Sequence, residues 1–123
     1  SSSKESAVNS SVSGFMAYVS PNYADRAHRN RAELKANAER ILNKASIEKI
    51  KTQSHVIDLK TNSAKSKLNI VVHLNKDSQY AAAGSLVFVG MEFEYEKIGK
   101  KWLVKSTEVT SINNQPSGWG HIP

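Results

Sequence analysis

Glu108 has the setting that most invites chemistry. It ends an alternating stretch, MEFEYEKIGKKWLVKSTEV (residues 91 to 109), in which a Gly-Lys pair breaks the run after Ile98. Pairing the two arms about Gly99-Lys100 sets Tyr95 opposite Val104, Phe93 opposite Ser106 and Met91 opposite Glu108. On that reading Ser106 and Glu108 are polar groups on an apolar face. Burial disfavours a carboxylate's charge, which is what a general base near neutral pH needs. The plainer account is a solvated strand end or a lysine partner, since structural ion pairs also perturb carboxylates. Tyr23 and Tyr95 could offer hydroxyl donors to a ligand, although such tyrosines more often sit in the core with the hydroxyl at its rim. Asp25 falls in the turn after Tyr23, and Asp58 near a hairpin end.

Other groups carry less. His55 and His73 are expected on adjacent strands, but without an acidic third ligand they make a poor metal site. His28 and His121 lie in loops with no spacing signal. The chain has no cysteine, which excludes disulfides, thiolate catalysis and cysteine-ligated zinc. No cofactor motif is present. The lysines of residues 44 to 67, with Arg26, Arg29 and Arg31, could form an anion-binding face. Nucleic-acid binders interleave stacking aromatics with such charge. This face has none, so a solvated surface is the better reading and nucleic acid is not an expected partner. Trp102 is expected to pack at the hairpin, and Trp119 to be an exposed aromatic in the tail.

The 123 residues suit one domain with one core. Hydrophobic residues make up 39% and charged ones 23%, ordinary for a globular chain. The formal charge of +6 favours anionic partners at long range, yet it also lies within what solubility alone requires. No apolar run approaches the roughly 20 residues that span a bilayer. The polar start SSSKES has no apolar h-region, so a leader, if there is one, would lie upstream and place the protein outside the cytoplasm.

Several elements must position these groups. Residues 1 to 6 read as a frayed tail. From Ala7 a helical period puts Val8, Val12, Phe15, Met16 and Val19 on one face, and Pro21 stops it. Asn30 and Glu33 have capping-box spacing ahead of a helix over 31 to 45, with Leu34, Ala38, Ile41, Leu42 and Ala45 on one stripe. Leu34, Ile41 and Leu42 are expected against Ile50, Val56, Leu68 or Ile70. The period then changes to two. A turn centred on Asn62 would place Ile50 opposite Leu74, Thr52 opposite Val72, Ser54 opposite Ile70 and Val56 opposite Leu68. A one-residue slip would exchange the faces. KDSQYAAAGS is a loop, strands follow over 86 to 97 and 101 to 112, and residues 113 to 123 read as an irregular tail. The domain expected is therefore 7 to 112.

Helices followed by long antiparallel hairpins make an α+β layout. The segments YVSPNYADRAHRNRAELKANAERIL, IEKIKTQSHVIDLKTNSAKSKLNIVVHL and FEYEKIGKKWLVKSTEV resemble, in order and spacing, the NTF2-like superfamily. The likeness spans about residues 15 to 112 and is similar to uncharacterised bacterial members. It implies a cystatin-like cone of helices packed on a curved antiparallel sheet. Enzymes of that superfamily place an Asp-His pair, or an Asp with Tyr, inside the cone. Related sheets also serve as dimer surfaces, which implies a homodimer through the sheet. The short, serine-rich segment before Phe15 departs from the longer first helix of the family, so that end of the cone is either open or closed by a partner or by residues upstream.

The reading that follows is a non-catalytic NTF2-like domain binding a small ligand or a protein partner. Tyr23, Thr52, Met91, Phe93, Tyr95, Ser106 and Glu108 would line its cavity, with no metal and no cofactor. The first alternative is an isomerase or dehydratase using Glu108 or Asp25. A second is an envelope assembly or secretion-associated module.

Overall fold

The computed structural model describes residues 2 to 81 and 84 to 123. Ser1 of the expected tail, and Ala82 and Ala83 of the expected loop, lie outside the described residues. Among the described residues two α-helices, α1 (Ser2–Met16) and α2 (Arg31–Ala45), precede five strands: β1 (Ile47–Leu59), β2 (Ser63–Leu74), β3 (Leu86–Ile98), β4 (Lys101–Ile112) and β5 (Gln115–Pro116). The strands form one antiparallel sheet in the order β1-β2-β3-β4-β5, and the helices pack on one of its faces. The architecture is the expected α+β one. Among the described residues no helix is long and apolar enough to cross a membrane.

α2 forms where its cap predicts. The Asn30 side chain accepts from the Glu33 N–H at 3.0 Å, and the Glu33 carboxylate reaches back to the Arg29 N–H at 2.8 Å. The Glu33 carboxyl is held below the usual carboxylate range, chiefly by that backbone N–H and then by the Arg29 side chain. A depressed folded value means a stabilisation fully present above the unfolded value of about 4.3 and lost as pH falls through the folded one. Glu33→Gln should thus be less stable than the natural chain near neutrality, and the gap should close in acid. Urea midpoints taken from about pH 7 down to about pH 3 measure this.

α1 begins at Ser2, five residues ahead of the apolar period, because its first turn has a tertiary anchor: Lys4 pairs with Asp77 at 2.9 Å. The helix ends at Met16, well before Pro21. Arg31 donates to the Met16 carbonyl at 2.6 Å and so closes α1 from the first position of α2. Val12 and Met16 are buried, whereas Phe15, expected on the same face, is largely exposed. Val19 lies beyond the helix and is bridged to Val104 on β4.

One core cluster joins Val12, Met16, Val19, Tyr23, Leu34 and Val104, with Phe93, Tyr95 and Trp119 packed against it. A second joins Ala45, Val72 and Leu74 to Ile70, Val87 and Val89. Leu34 therefore packs toward β4 rather than β1, and Ile50 and Val56 are exposed. The cause is simple: α2 packs over β2, β3 and β4 and reaches β1 only at Ile47, leaving Glu48 to Leu59 exposed.

Among the described residues four β-bulges decide which side chains face the helices, the first of them at Glu48, between Ile47 and Lys49. In the first hairpin Ile50 pairs with Val72 and Thr52 with Ile70, but Ser54 pairs with Asn69 and Val56 with Lys67. Gln53 is the second extra residue. Past it His55, Ile57 and Leu59 share the inner face of Leu68, Ser66 and Ala64, and Val56 turns outward. The expected pairing about Asn62 is replaced by one in which Leu59 meets Ala64. In the second hairpin Tyr95 pairs with Val104 as expected, but Lys105 is extra, so Phe93 meets Thr107 and Met91 meets Val109. Thr110 is extra as well. Gly99 takes a φ of 62° at the first position of the two-residue loop, a conformation open to glycine. The tail is ordered. Asn113 and Asn114, at φ 51° and 64°, make a two-residue turn that returns β5 to β4.

Candidate functional site

The bulges on β4 have partners. The Lys105 carbonyl accepts the Ala24 N–H at 3.1 Å, and the Thr110 carbonyl accepts the Ser117 N–H at 3.0 Å. On the same edge Val104 exchanges backbone bonds with Tyr18 and Ser20, each at 2.8 Å. The segment of residues 18 to 24 and the C-terminal tail thus cover the β4 edge from its two ends. Trp119 completes the cover by donating its indole N–H to the Thr107 carbonyl at 2.9 Å.

Beneath this cover lies a hydrogen-bonded cluster that sequence spacing did not bring together. The Tyr23 hydroxyl donates to Asp25 Oδ2. Asp25 Oδ1 accepts the backbone N–H groups of Ala27 and His28, at 2.7 and 2.8 Å, and His28 Nδ1 at 2.9 Å. Asn37 Nδ2 donates to His28 Nε2 at 2.8 Å. The Asn37 amide cannot turn over, because its Oδ1 accepts two bonds from Arg40, at 3.1 and 2.7 Å. That assigns the proton of the imidazole to Nδ1. The Trp119 ring stands edge-on to His28 with centroids 5.0 Å apart. The side chains of Asp25 and His28 are 0% and 3% exposed. Burial above all, and then the bond to Asp25, pushes the Tyr23 phenol above its ordinary value, so it remains a donor.

The accessible space lies outside Trp119. A groove of about 580 Å³ runs along β4, lined by Arg26, Glu92, Glu108, Val109, Thr110 and Trp119 among others. Glu92 and Glu108 stand directly opposite one another on β3 and β4. Arg26 approaches Glu108 at 3.8 Å, and Lys67 approaches Glu92 at 3.9 Å. A smaller recess of about 270 Å³ lies at the β1–β2 turn, among Asp58, Lys60, Lys65, Glu94, Tyr95 and Lys105.

Of the residues expected in one cavity, the structure brings together Tyr23, Phe93 and Tyr95 in the core, with Met91 on the same face. Tyr95 and Ser66 share a hydrogen bond of 3.0 Å. Thr52 is exposed on β1, away from that cluster. Ser106 and Glu108 are not on the apolar face. The Lys105 bulge turns them outward and puts Thr107 and Val109, both buried, in their place. His55 and His73, expected on one face, are separated by the Gln53 bulge. Trp119, expected to be exposed, is packed. Sequence reading missed His28, Thr107 and Arg26. A signal for the β4 bulge was nonetheless present: Val104 and Val109, both apolar, are an odd number of positions apart, so a regular strand could not bury both.

The fold is that of NTF2-like and cystatin-like proteins. An NTF2-like protein of unknown function from Pseudomonas putida superposes with a TM-score of 0.65 at 11% identity, over 85% of this chain and 75% of its own. A protein of unknown function with a cystatin-like fold, from Nostoc punctiforme, gives 0.66 at 11% identity, over 92% and 86%. The Bdellovibrio bacteriovorus protein Bd1075 gives 0.66 at 10% identity over 91% of this chain, which spans only 37% of that longer one. No protein-family model and no curated protein matches the sequence. Likeness at such identity establishes fold and leaves function to the site.

Proposed function

We propose that this chain is a non-catalytic NTF2-like domain whose groove along β4 binds a small ligand or a partner segment bearing a positive charge. The observation that carries the reading is the Glu92–Glu108 pair. Like charges directly opposite on neighbouring strands destabilise a sheet. Here they line an accessible groove, beside an indole that supplies an apolar wall. Arg26 and Lys67 offset that repulsion only from 3.8 and 3.9 Å, and an amine or guanidine lying between the two carboxylates offsets it further and gains charge-assisted hydrogen bonds. The acid–base groups that proton transfer would need, Tyr23, Asp25 and His28, are bonded to one another behind Trp119. That supports binding over catalysis.

Titration with agmatine and with a trilysine peptide, with acetate as control, tests this by NMR. The cationic probes should saturate and shift the Val109, Thr110 and Trp119 signals. Glu108→Gln, which keeps shape and removes charge, should weaken them about tenfold, near 1.4 kcal/mol. Absence of saturable binding would count against the reading. So would a substrate whose turnover falls about a thousandfold in the same variant, since Glu108 would then be a base.

A further inference from the structure

The two edges of the sheet differ. The β4 edge is covered, as described above. The β1 edge is not: β1 pairs with β2 alone, and among the described residues no strand takes its far side. β1 is 13 residues long, and its Ile50, Val56, Ile57 and Leu59 are 52%, 64%, 58% and 66% exposed. An unpaired strand of this length with exposed apolar side chains is a template for another strand. Charged residues commonly blunt such an edge by repelling a second strand. Here they cancel: β1 carries Glu48 and Asp58 against Lys49 and Lys51, in a chain of net charge +6.

The Gln53 bulge selects the partner. Ile50 and Thr52 before it, and His55 and Ile57 after it, all point to the inner face. Consider two copies of β1 laid antiparallel about a two-fold axis between Gln53 and Ser54. Ile50 then meets Ile57 of the second copy on the inner face, and Thr52 meets its His55. On the outer face Lys49 meets Asp58 of the second copy, and Lys51 lays its aliphatic stem on Val56. Symmetry repeats every pair. Without the bulge Ile50 and Ile57 would lie on opposite faces, and the same register would set apolar against polar side chains. We infer that β1 joins β1 of a second copy in this register, so that the two five-stranded sheets continue through the dimer. The occupant is a second copy because, from Lys49 to Asp58, both the charge pattern and the inverted face pattern of β1 are self-complementary.

Sedimentation equilibrium on the whole chain should show a species of twice 13.6 kDa that dissociates on dilution. Lys49→Asp alone or Asp58→Lys alone sets like charges opposite each other twice, and each should weaken the dimer about tenfold. The double variant, with the charges exchanged, should recover most of that loss. Register is read by crosslinking, in a chain with no cysteine of its own. Ile50→Cys mixed with Ile57→Cys should give a disulfide-linked dimer on oxidation, and neither variant alone should. All four positions are exposed, so folding is expected to survive. A chain that stays monomeric up to about millimolar concentration overturns the inference. So does a dimer insensitive to both charge reversals, or one in which the mixed cysteines fail to link.

Discussion

Asp25→Ala is expected to destabilise the fold by about 3–5 kcal/mol, the loss typical when one member of a buried polar network is removed. The truncation strands four donors at once: the Tyr23 hydroxyl, the His28 ring N–H and the backbone N–H groups of Ala27 and His28. The Ala27 N–H is at the exposed rim and can turn to water, whereas the His28 ring N–H lies in a side chain only 3% exposed, behind Trp119. Asp25→Asn keeps an acceptor for the two backbone groups and should cost about half as much, since neutral hydrogen bonds are worth roughly half of charged ones. Urea unfolding with an unchanged slope is the measurement. A midpoint that barely moves in Asp25→Ala would show that the cluster does not hold the fold. The case for reading Tyr23, Asp25 and His28 as structure rather than machinery would then fail.

Leu34→Ala should cost about 2–5 kcal/mol, the range for emptying a buried leucine site. Leu34 is the buried apolar residue of α2 that enters the cluster of Val12, Met16, Tyr23 and Val104. Both helices and β4 meet at that point, so the cavity cannot be filled by a small shift of one element. Leu42→Ala, at a residue only partly buried against the same cluster, should cost less. Equal losses at the two positions would mean that the core is centred further along α2 than the packing indicates.

The amino-acid sequence by itself determined the elements. Asn30 and Glu33 set the start of α2, because a capping side chain and its reciprocal carboxylate need only local chain to form. Two-residue alternation set the four long strands, and Gly99-Lys100 set the turn between β3 and β4, since glycine accepts the positive φ that the loop imposes. Asn113-Asn114 was an equally local turn signal for β5. What only the tertiary structure decided is which face each strand presents. A bulge needs a partner for its displaced backbone. For Lys105 and Thr110 those partners are Ala24 and Ser117, which approach from the segment after α1 and from the C-terminal tail. One extra residue inverts everything beyond it. That inversion moved Glu108 from the apolar wall to the open groove, buried Thr107 in its stead, and left the self-complementary face pattern of β1 at the uncovered edge. Alternation is a local property and predicts that two sets of side chains separate. The side on which each set falls depends on contacts made between distant parts of the chain.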